Sequence, residues 1–347
     1  LIFVPPERRL GFQFWRGFES GHHYNQSPYY ADGPEELLWE GYDAIAQTRC
    51  ACDYLAERAA LHQPFALFVS WGPPHPPYHE APERYREMYA ADHIQLRRNV
   101  PNAAQRQARD WLAGYYAHCT ALDDCFGEVL DTLERLGLAE DTIVVFTSDH
   151  GDMLGSHGHS HKQHPYDESV LIPFLLRWPH GLGRRGRVDT VPFGGPDIMP
   201  TVLGLCGVAI PDTVEGTDFS PRLRGERQMH GGPVYMACYR PHHNLRYDTF
   251  GRDWRGIRDE QHTYVRDHDG PWLLFDNLAD PYQMRNLVGY PSSRPVLRKL
   301  DRALDRVLDR RRDAFLSGDE LCRLYDVDID SEGDVIRGKP IPAPEEM

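Results

Sequence analysis

No stretch of these 347 residues approaches the roughly 18 consecutive apolar positions that a membrane-spanning helix needs. Positive charge is in deficit. The formal net charge is -14, which argues against nucleic acid as the main partner, because phosphate binding needs a basic face. Small anions are not excluded, because a local pocket can be cationic on an anionic protein. None of the seven cysteines falls in a C-x-x-C pair, so a zinc ribbon and a thioredoxin motif are both ruled out. An odd number points instead to free thiols, most of them buried. The chain opens on LIFVPPERRL, with neither an initiator Met nor a signal peptide, so no leader indicates a cellular location. Internal repeats and low-complexity tracts are also lacking.

What is present is a composition of 41% hydrophobic and 26% charged residues, ordinary for a globular protein. The length suits one large α/β domain, or a large domain with a smaller companion. The first three dozen residues, rich in Pro, Gly and aromatics, predict an ordered loop region. Asp43 to Ala60 predicts a helix, and PFALFVSW (Pro64 to Trp71) a short buried strand running into the proline-rich loop GPPHPPYHEAP. Leu112, Tyr115, Cys119, Leu122, Phe126, Val129, Leu133 and Leu136 recur at steps of three and four, one face of a long helix that Gly137 stops. DTIVVFT (Asp141 to Thr147) then predicts a fully buried strand.

SVLIPFLLRWP predicts another core strand, and Asp197 to Cys206 a short helix. This alternation predicts an α/β domain over residues 1–228, a sandwich around a mostly parallel sheet. In such sheets ligands collect beyond the carboxyl ends of the strands. After about Arg227, GPVYMACY, WRGIRD, HTYVRD and PWLLFDN read as short antiparallel strands. An amphipathic helix from about Arg294 to Phe315 follows, with Val296, Leu300, Leu304 and Leu308 along one side, and then an acidic surface tail. Residues 229–347 are thus expected to form a small subdomain of antiparallel sheet plus helix.

FTSDHGDMLGSHGHSHKQHPYDES (Phe146 to Ser169) concentrates five histidines, three aspartates and one lysine just beyond a predicted strand end. Asp149 and His150 offer a hard oxygen and a borderline nitrogen at one place, which suits a divalent cation. Spacing alone leaves an Asp turn with an incidental His equally open. Lys162 can hold an anionic oxygen as a point charge, against the plainer possibility of a solvated loop lysine. His75, set between prolines, can protonate a leaving oxygen or grip an anion, or is simply a rigid loop histidine. His157, His159 and His161 alternate along a Gly-containing loop with no fixed face, which argues against a histidine cage. His159, His161 and His164 are expected as loop polarity or substrate rim.

FTSDHGDMLGSHG…KQHPYDESVLIPFLLRWP resembles the metal-and-substrate loop of the sulfatase family, within the alkaline phosphatase superfamily. SWGPPHPPYHEAPERY resembles that family's second loop with its substrate-facing histidine. YYAHCTALDDCFGEVLDTLERLGLAEDTIVVFTSDHG is similar to the helix and strand leading to the metal. WRGIRDEQHTYVRDHDGPWLLFDNLADPYQMRNL resembles the C-terminal subdomain with its D-P-x-x-x-x-N-L run. The resemblance implies an alkaline-phosphatase-like α/β fold with Asp149 and His150 as metal ligands. It also implies His75 and Lys162 as contacts to the sulfate or leaving oxygen, and His157 near the substrate. It further implies one divalent ion, with Ca²⁺ favoured and Mn²⁺ or Mg²⁺ as alternatives. His150, where many sulfatases carry Asn, bears on that choice, since imidazole is a less natural calcium ligand than oxygen.

The family's nucleophile is a formylglycine made from the Cys or Ser of a C/S-x-P-x-R motif by a formylglycine-generating or anaerobic maturation enzyme. No such motif occurs here; SRPVLR at Ser293 is a near miss, with Leu297 at the arginine position. The expectation is a chain that begins downstream of the nucleophile, binds divalent metal weakly and is inactive alone. Its substrate would be a glycan or small-molecule sulfate ester. The alternatives are a phosphonate monoester or phosphodiester hydrolase on the same scaffold, and a non-catalytic anion- or glycan-binding relative.

Overall fold

A computed structural model describes residues 3–18, 21–241 and 251–330, together with the backbone of 335–337. The expected surface tail beyond Phe315 is described to residue 330 and, as backbone, over 335–337; the rest of it lies outside the described residues. The chain divides into two compact units. The first comprises residues 1–144, 154–158 and 177–183, and the second 145–153, 159–176 and 184–347.

Two helices dominate the first unit. Asp43–Leu61 starts after an extended Tyr42, carries Asp43 in its first turn and ends at His62 with a left-handed φ of 52°. It buries Ala44, Thr48, Ala51 and Leu55, spaced four, three and four apart. Gln105–Arg135 is longer than the expected stripe and buries more than it. Ala117, His118, Ala121 and Cys125 are sealed as completely as Leu122 and Leu133. Small residues at this helix contact let backbones approach closely. Tyr24, Tyr42, Ala81 and Tyr85 fill the space around them in one cluster. Gly114 serves the same closeness, since a Cβ there would stand 2.3 Å from the Tyr78 carbonyl oxygen.

Pro64 to Trp71 forms no strand. Its alternation turns Phe65 and Leu67 toward Leu55 and Leu133 and leaves Phe68 77% exposed, with no hydrogen-bonded ladder among the described residues. An apolar stretch becomes a strand only where a neighbour supplies the amides and carbonyls.

The expected strand at Asp141 to Thr147 shortens to Val144–Thr147, and it is half-buried with Thr147 exposed. It pairs with Phe174–Arg177 in a two-stranded sheet, the extent of the central sheet among the described residues. Between these strands a helical turn, Asp167–Val170, replaces the start of the expected SVLIPFLLRWP strand. Gly195–Cys206 is helical as expected, with Asp197 Oδ2 accepting from the Gly194 amide at 2.8 Å.

The second unit contains a four-stranded antiparallel meander, Val234–Cys238, Trp254–Arg258, His262–Asp267 and Gly270–Asp276, paired in chain order. Period-two alternation gives it two apolar faces. Ile257, Tyr264 and Leu274 pack against Leu300, Leu304, Val307 and Leu308 of the helix Arg294–Arg311. Trp254, Val265, Leu273 and Phe275 form the opposite face, which holds Tyr166 and Val170. Each fully buried side chain of this size contributes about 1.5–3 kcal/mol. The expected helix to Phe315 stops earlier, at a left-handed Arg312, and a second helix, Gly318–Leu324, follows behind a Ser317 cap.

All seven cysteines are free thiols, but only Cys125 and Cys238 are buried. The expectation of mostly buried thiols therefore fails. A helix such as Asp43–Leu61 has only one inward stripe, and Cys50 and Cys52 sit at its margin.

Candidate functional site

Asp149 and His150 leave the Val144–Thr147 strand within three residues of its end. The His150 amide donates to Asp149 Oδ1 at 2.9 Å, and the Ser148 hydroxyl donates to the His150 carbonyl at 2.7 Å. These local bonds turn the two side chains to one side, so that Asp149 Oδ2 and His150 Nε2 stand 3.5 Å apart. His150 Nδ1 lies 2.8 Å from the Gly151 carbonyl, which places the proton on Nδ1 and the lone pair on Nε2.

That is the tautomer and spacing two ligands of one cation need. The fit extends to two ligands, whereas Ca²⁺ takes roughly six to eight. Among the described residues no cluster of three or more His, Cys, Asp or Glu side chains forms a metal cage. Gly151 makes the sharp exit possible. Its amide donates to the Ser169 carbonyl at 2.9 Å, and a Cβ would stand 2.1 Å from the Glu168 oxygen.

The same unit brings Lys162 onto this loop. The Met153 amide donates to the His161 carbonyl at 2.8 Å, and the His161 amide donates to Asp152 Oδ1 at 3.0 Å. Residues 149–153 and 161–163 are thereby tied side by side. Burial pushes the His161 imidazole pKa down, a shift that Asp152 opposes and that Lys162 and His150 reinforce. Lys162 itself is half-buried. His164 departs from expectation. Only 5% exposed, it stacks on His159 with ring centres 4.1 Å apart, because the loop folds back on itself.

His75 belongs to the first unit, where its loop is held at several points. Tyr24 donates its hydroxyl to the His75 carbonyl at 2.7 Å. The Tyr24 amide donates to Glu80 Oε2 at 2.5 Å, and His118 Nε2 reaches the Pro77 carbonyl at 3.3 Å. The His75 ring stacks on His22 at 4.1 Å, with its Nδ1 2.9 Å from the Pro76 carbonyl. His157, also in this unit, adopts a φ of 55° and is gripped by Asn99, whose carbonyl accepts its amide at 2.8 Å and whose Nδ2 lies 3.0 Å from its Nε2. The structure thus assembles Asp149, His150 and Lys162 in one unit, and His75 and His157 in the other.

Sequence reasoning did not single out Tyr24, Glu80, His118 and Asn99, which hold these loops. The loop partners cited above lie between 41 and 58 residues away, so no local pattern announces them.

The half-buried strand pair with the loop at its end, and the C-terminal antiparallel sheet with its helix, are elements of a mixed α/β chain. The solved structure of the protein yidJ from Bacteroides fragilis, assigned to the sulfatases, matches this chain with a TM-score of 0.80 at 27% identity, over 90% of this chain and 69% of that one, and gives it an alkaline-phosphatase-like fold. The sulfatase family model matches residues 4–208, and the C-terminal model of N-sulphoglucosamine sulphohydrolase matches 155–310. This chain belongs to the sulfatase family. The ulvan-active sulfatase of Formosa agariphila is 38% identical over 330 residues, 93% of this chain and 63% of that protein. The endo-4-O-sulfatase of Bacteroides thetaiotaomicron is 32% identical, over 82% of this chain and 60% of that protein. The chain therefore spans less than two thirds of the length of these curated relatives. Among the described residues no helix is long and apolar enough to cross a membrane.

Proposed function

We propose that the protein hydrolyses sulfate esters, with a sulfated glycan as the substrate class. Family membership and the similarity to an ulvan-active sulfatase and an endo-4-O-sulfatase support this reading. The observation that carries it is the convergence of Asp149 and His150 at 3.5 Å, in the tautomer a metal ligand requires. Asp149 and His150 would hold one divalent ion, Ca²⁺ in preference to Mn²⁺ or Mg²⁺. Bound there, the ion would supply Lewis acidity and draw charge away from sulfate oxygens.

Lys162 would set its ammonium against a sulfate oxygen, and His75 would pass a proton to the leaving oxygen or offset its charge. Proline on both sides of His75 and Tyr24 on its carbonyl fix the backbone, while the His22 stack and the Pro76 carbonyl hold the ring, an orientation set before reaction. His157 would be a further contact to the substrate. The nucleophile of this scheme would be a formylglycine installed by a maturation enzyme, and these 347 residues contain no C/S-x-P-x-R motif to supply it.

The test is to express the 347 residues and an upstream-extended chain, each with a formylglycine-generating enzyme, and assay an aryl sulfate, a sulfated oligosaccharide and an aryl phosphonate. The expected result is sulfate turnover by the extended chain alone. Robust turnover by the 347 residues, abolished by Asp149→Ala, would overturn the assignment of the nucleophile. Preference for the aryl phosphonate would move the protein to the phosphonate hydrolase reading.

A further inference from the structure

We infer that the C-terminal antiparallel sheet positions Lys162, with Trp254 as the positioning residue that acts on it and Arg258 as a second anchor. The inference rests on the role proposed above for Lys162. Lys162 lies between two residues in left-handed backbone, His161 at φ 61° and Gln163 at φ 76°. Each such non-glycine residue costs about 1–2 kcal/mol, so the conformation persists only where its surroundings hold it.

One side is held within the loop, where His161 bonds Met153 and Asp152. The other side is held by the sheet. The Trp254 indole donates through Nε1 to the Gln163 carbonyl at 3.0 Å, and the Cys238 thiol lies 3.9 Å from the Gln163 side-chain oxygen. Trp254 and Cys238 are cross-strand partners on the face that also carries Val265, Leu273 and Phe275. The indole is 3% exposed and so has little freedom to follow a moving loop.

A second fixing point lies four residues beyond Gln163. Arg258 forks onto Asp167 at 3.1 and 2.9 Å. Gln283, 2% exposed, accepts the Asp167 amide at 2.8 Å and donates to Asp167 Oδ1 at 3.1 Å. Gln283 is itself pinned by Asn277 and Thr263 of the same sheet region. The span from Gln163 to Asp167 is therefore nailed at both ends to rigid strands, and Lys162 is the first residue outside that clamp. A group placed this way keeps its position through turnover, and misplacement by about 1 Å costs on the order of 10²-fold in rate.

Trp254→Phe removes the N–H donor together with part of the buried ring, so its Tm is read beside its kcat, and Arg258→Lys keeps the charge and removes the fork. In the upstream-extended enzyme, each should lower kcat on a sulfate ester by about tenfold or more, with KM within about twofold and Tm within about 3 °C. Either substitution combined with Lys162→Ala should be no worse than Lys162→Ala alone, because both act through that lysine.

In the 347-residue chain, acylation of the Lys162 amine, measured by mass spectrometry against the exposed Lys299, should change by about threefold or more in both variants. Additive losses in the double variants, or unchanged kcat and unchanged acylation, would overturn the inference while leaving the function intact. Wild-type turnover by Lys162→Ala would remove the proposed role of Lys162 and the inference with it.

Discussion

The Tyr42 hydroxyl lies 2.6 Å from His118 Nδ1, inside the packing of the two long helices. His118 Nε2 faces the Pro77 carbonyl at 3.3 Å, which places a proton on Nε2. Burial lowers its pKa to about 4, so below the ordinary value of 6.5 the unfolded chain takes up a proton that the folded chain does not. Stability from this group is full above pH 6.5 and is lost as pH falls toward 4.

Asp43, 1% exposed, has the opposite sign. Burial, the largest influence, raises its carboxyl from 3.8 to about 7. Its contribution is full below about pH 4 and is lost as pH rises toward 7. The two slopes oppose each other between about pH 4 and 6.5, each approaching ~1.4 kcal/mol per pH unit. Asp43→Asn should therefore leave a stability that rises with pH across that window, and His118→Gln one that falls. Urea midpoints at pH 4.5, 5.5 and 6.5 check this, and parallel profiles in the two variants would refute it.

Metal binding by the 347 residues should be weak and should depend on Asp149 and His150. Calorimetric titration with Ca²⁺ and Mn²⁺ should show affinity falling by about tenfold or more in Asp149→Ala, since the remaining imidazole would bind largely hydrated metal. His150→Asn, which substitutes an oxygen ligand, should shift preference toward Ca²⁺. Unchanged titrations in both variants would remove the metal assignment.

Lys162→Ala in the extended enzyme should lower kcat/KM by about 10²-fold or more while leaving the circular dichroism spectrum and Tm near those of the parent. His75→Ala should act in the same direction, with the larger loss on substrates whose leaving group is a poor one. That pattern distinguishes proton transfer to the leaving oxygen from simple anion contact.

Gly151→Ala and Gly137→Ala separate steric collision from backbone strain. Gly137, at φ 70°, has nothing within 4 Å of a Cβ, so alanine there should cost about 1 kcal/mol. Gly151 would place its Cβ 2.1 Å from the Glu168 oxygen and should cost several-fold more. Equal Tm losses would contradict the geometry of the Asp149 loop.

Arg255 has a fully buried side chain, paired with Asp313 at 2.7 Å, and Tyr235 donates to the same carboxylate at 2.7 Å. Arg255→Leu leaves that carboxylate without its cation and should destabilise the protein by about 3–5 kcal/mol. Asp313→Asn with Arg255→Leu should recover part of the loss. No recovery in the double variant would show that the cost lies in packing against Tyr239 and Phe315 instead.

Much of the local order follows from the residues alone, because it depends on neighbours a few positions apart. The period of Leu300, Leu304 and Leu308 specifies a helix with one buried side. The β-branched and aromatic runs at 234–238 and 254–276 specify a meander of short strands. The S-D-H-G sequence after Val144–Thr147 is enough to set Asp149 beside His150, since the bonds that converge them span one or two residues. Tertiary structure decided the rest. Whether Pro64 to Trp71 pairs as a strand depends on an external ladder partner. Whether His164 is rim or interior depends on how its loop folds back, and the hold on Lys162 comes from an indole 91 residues from Gln163. Hydrogen bonds between residues so far apart carry no local periodicity, and only the packed sheet brings their donors and acceptors within reach.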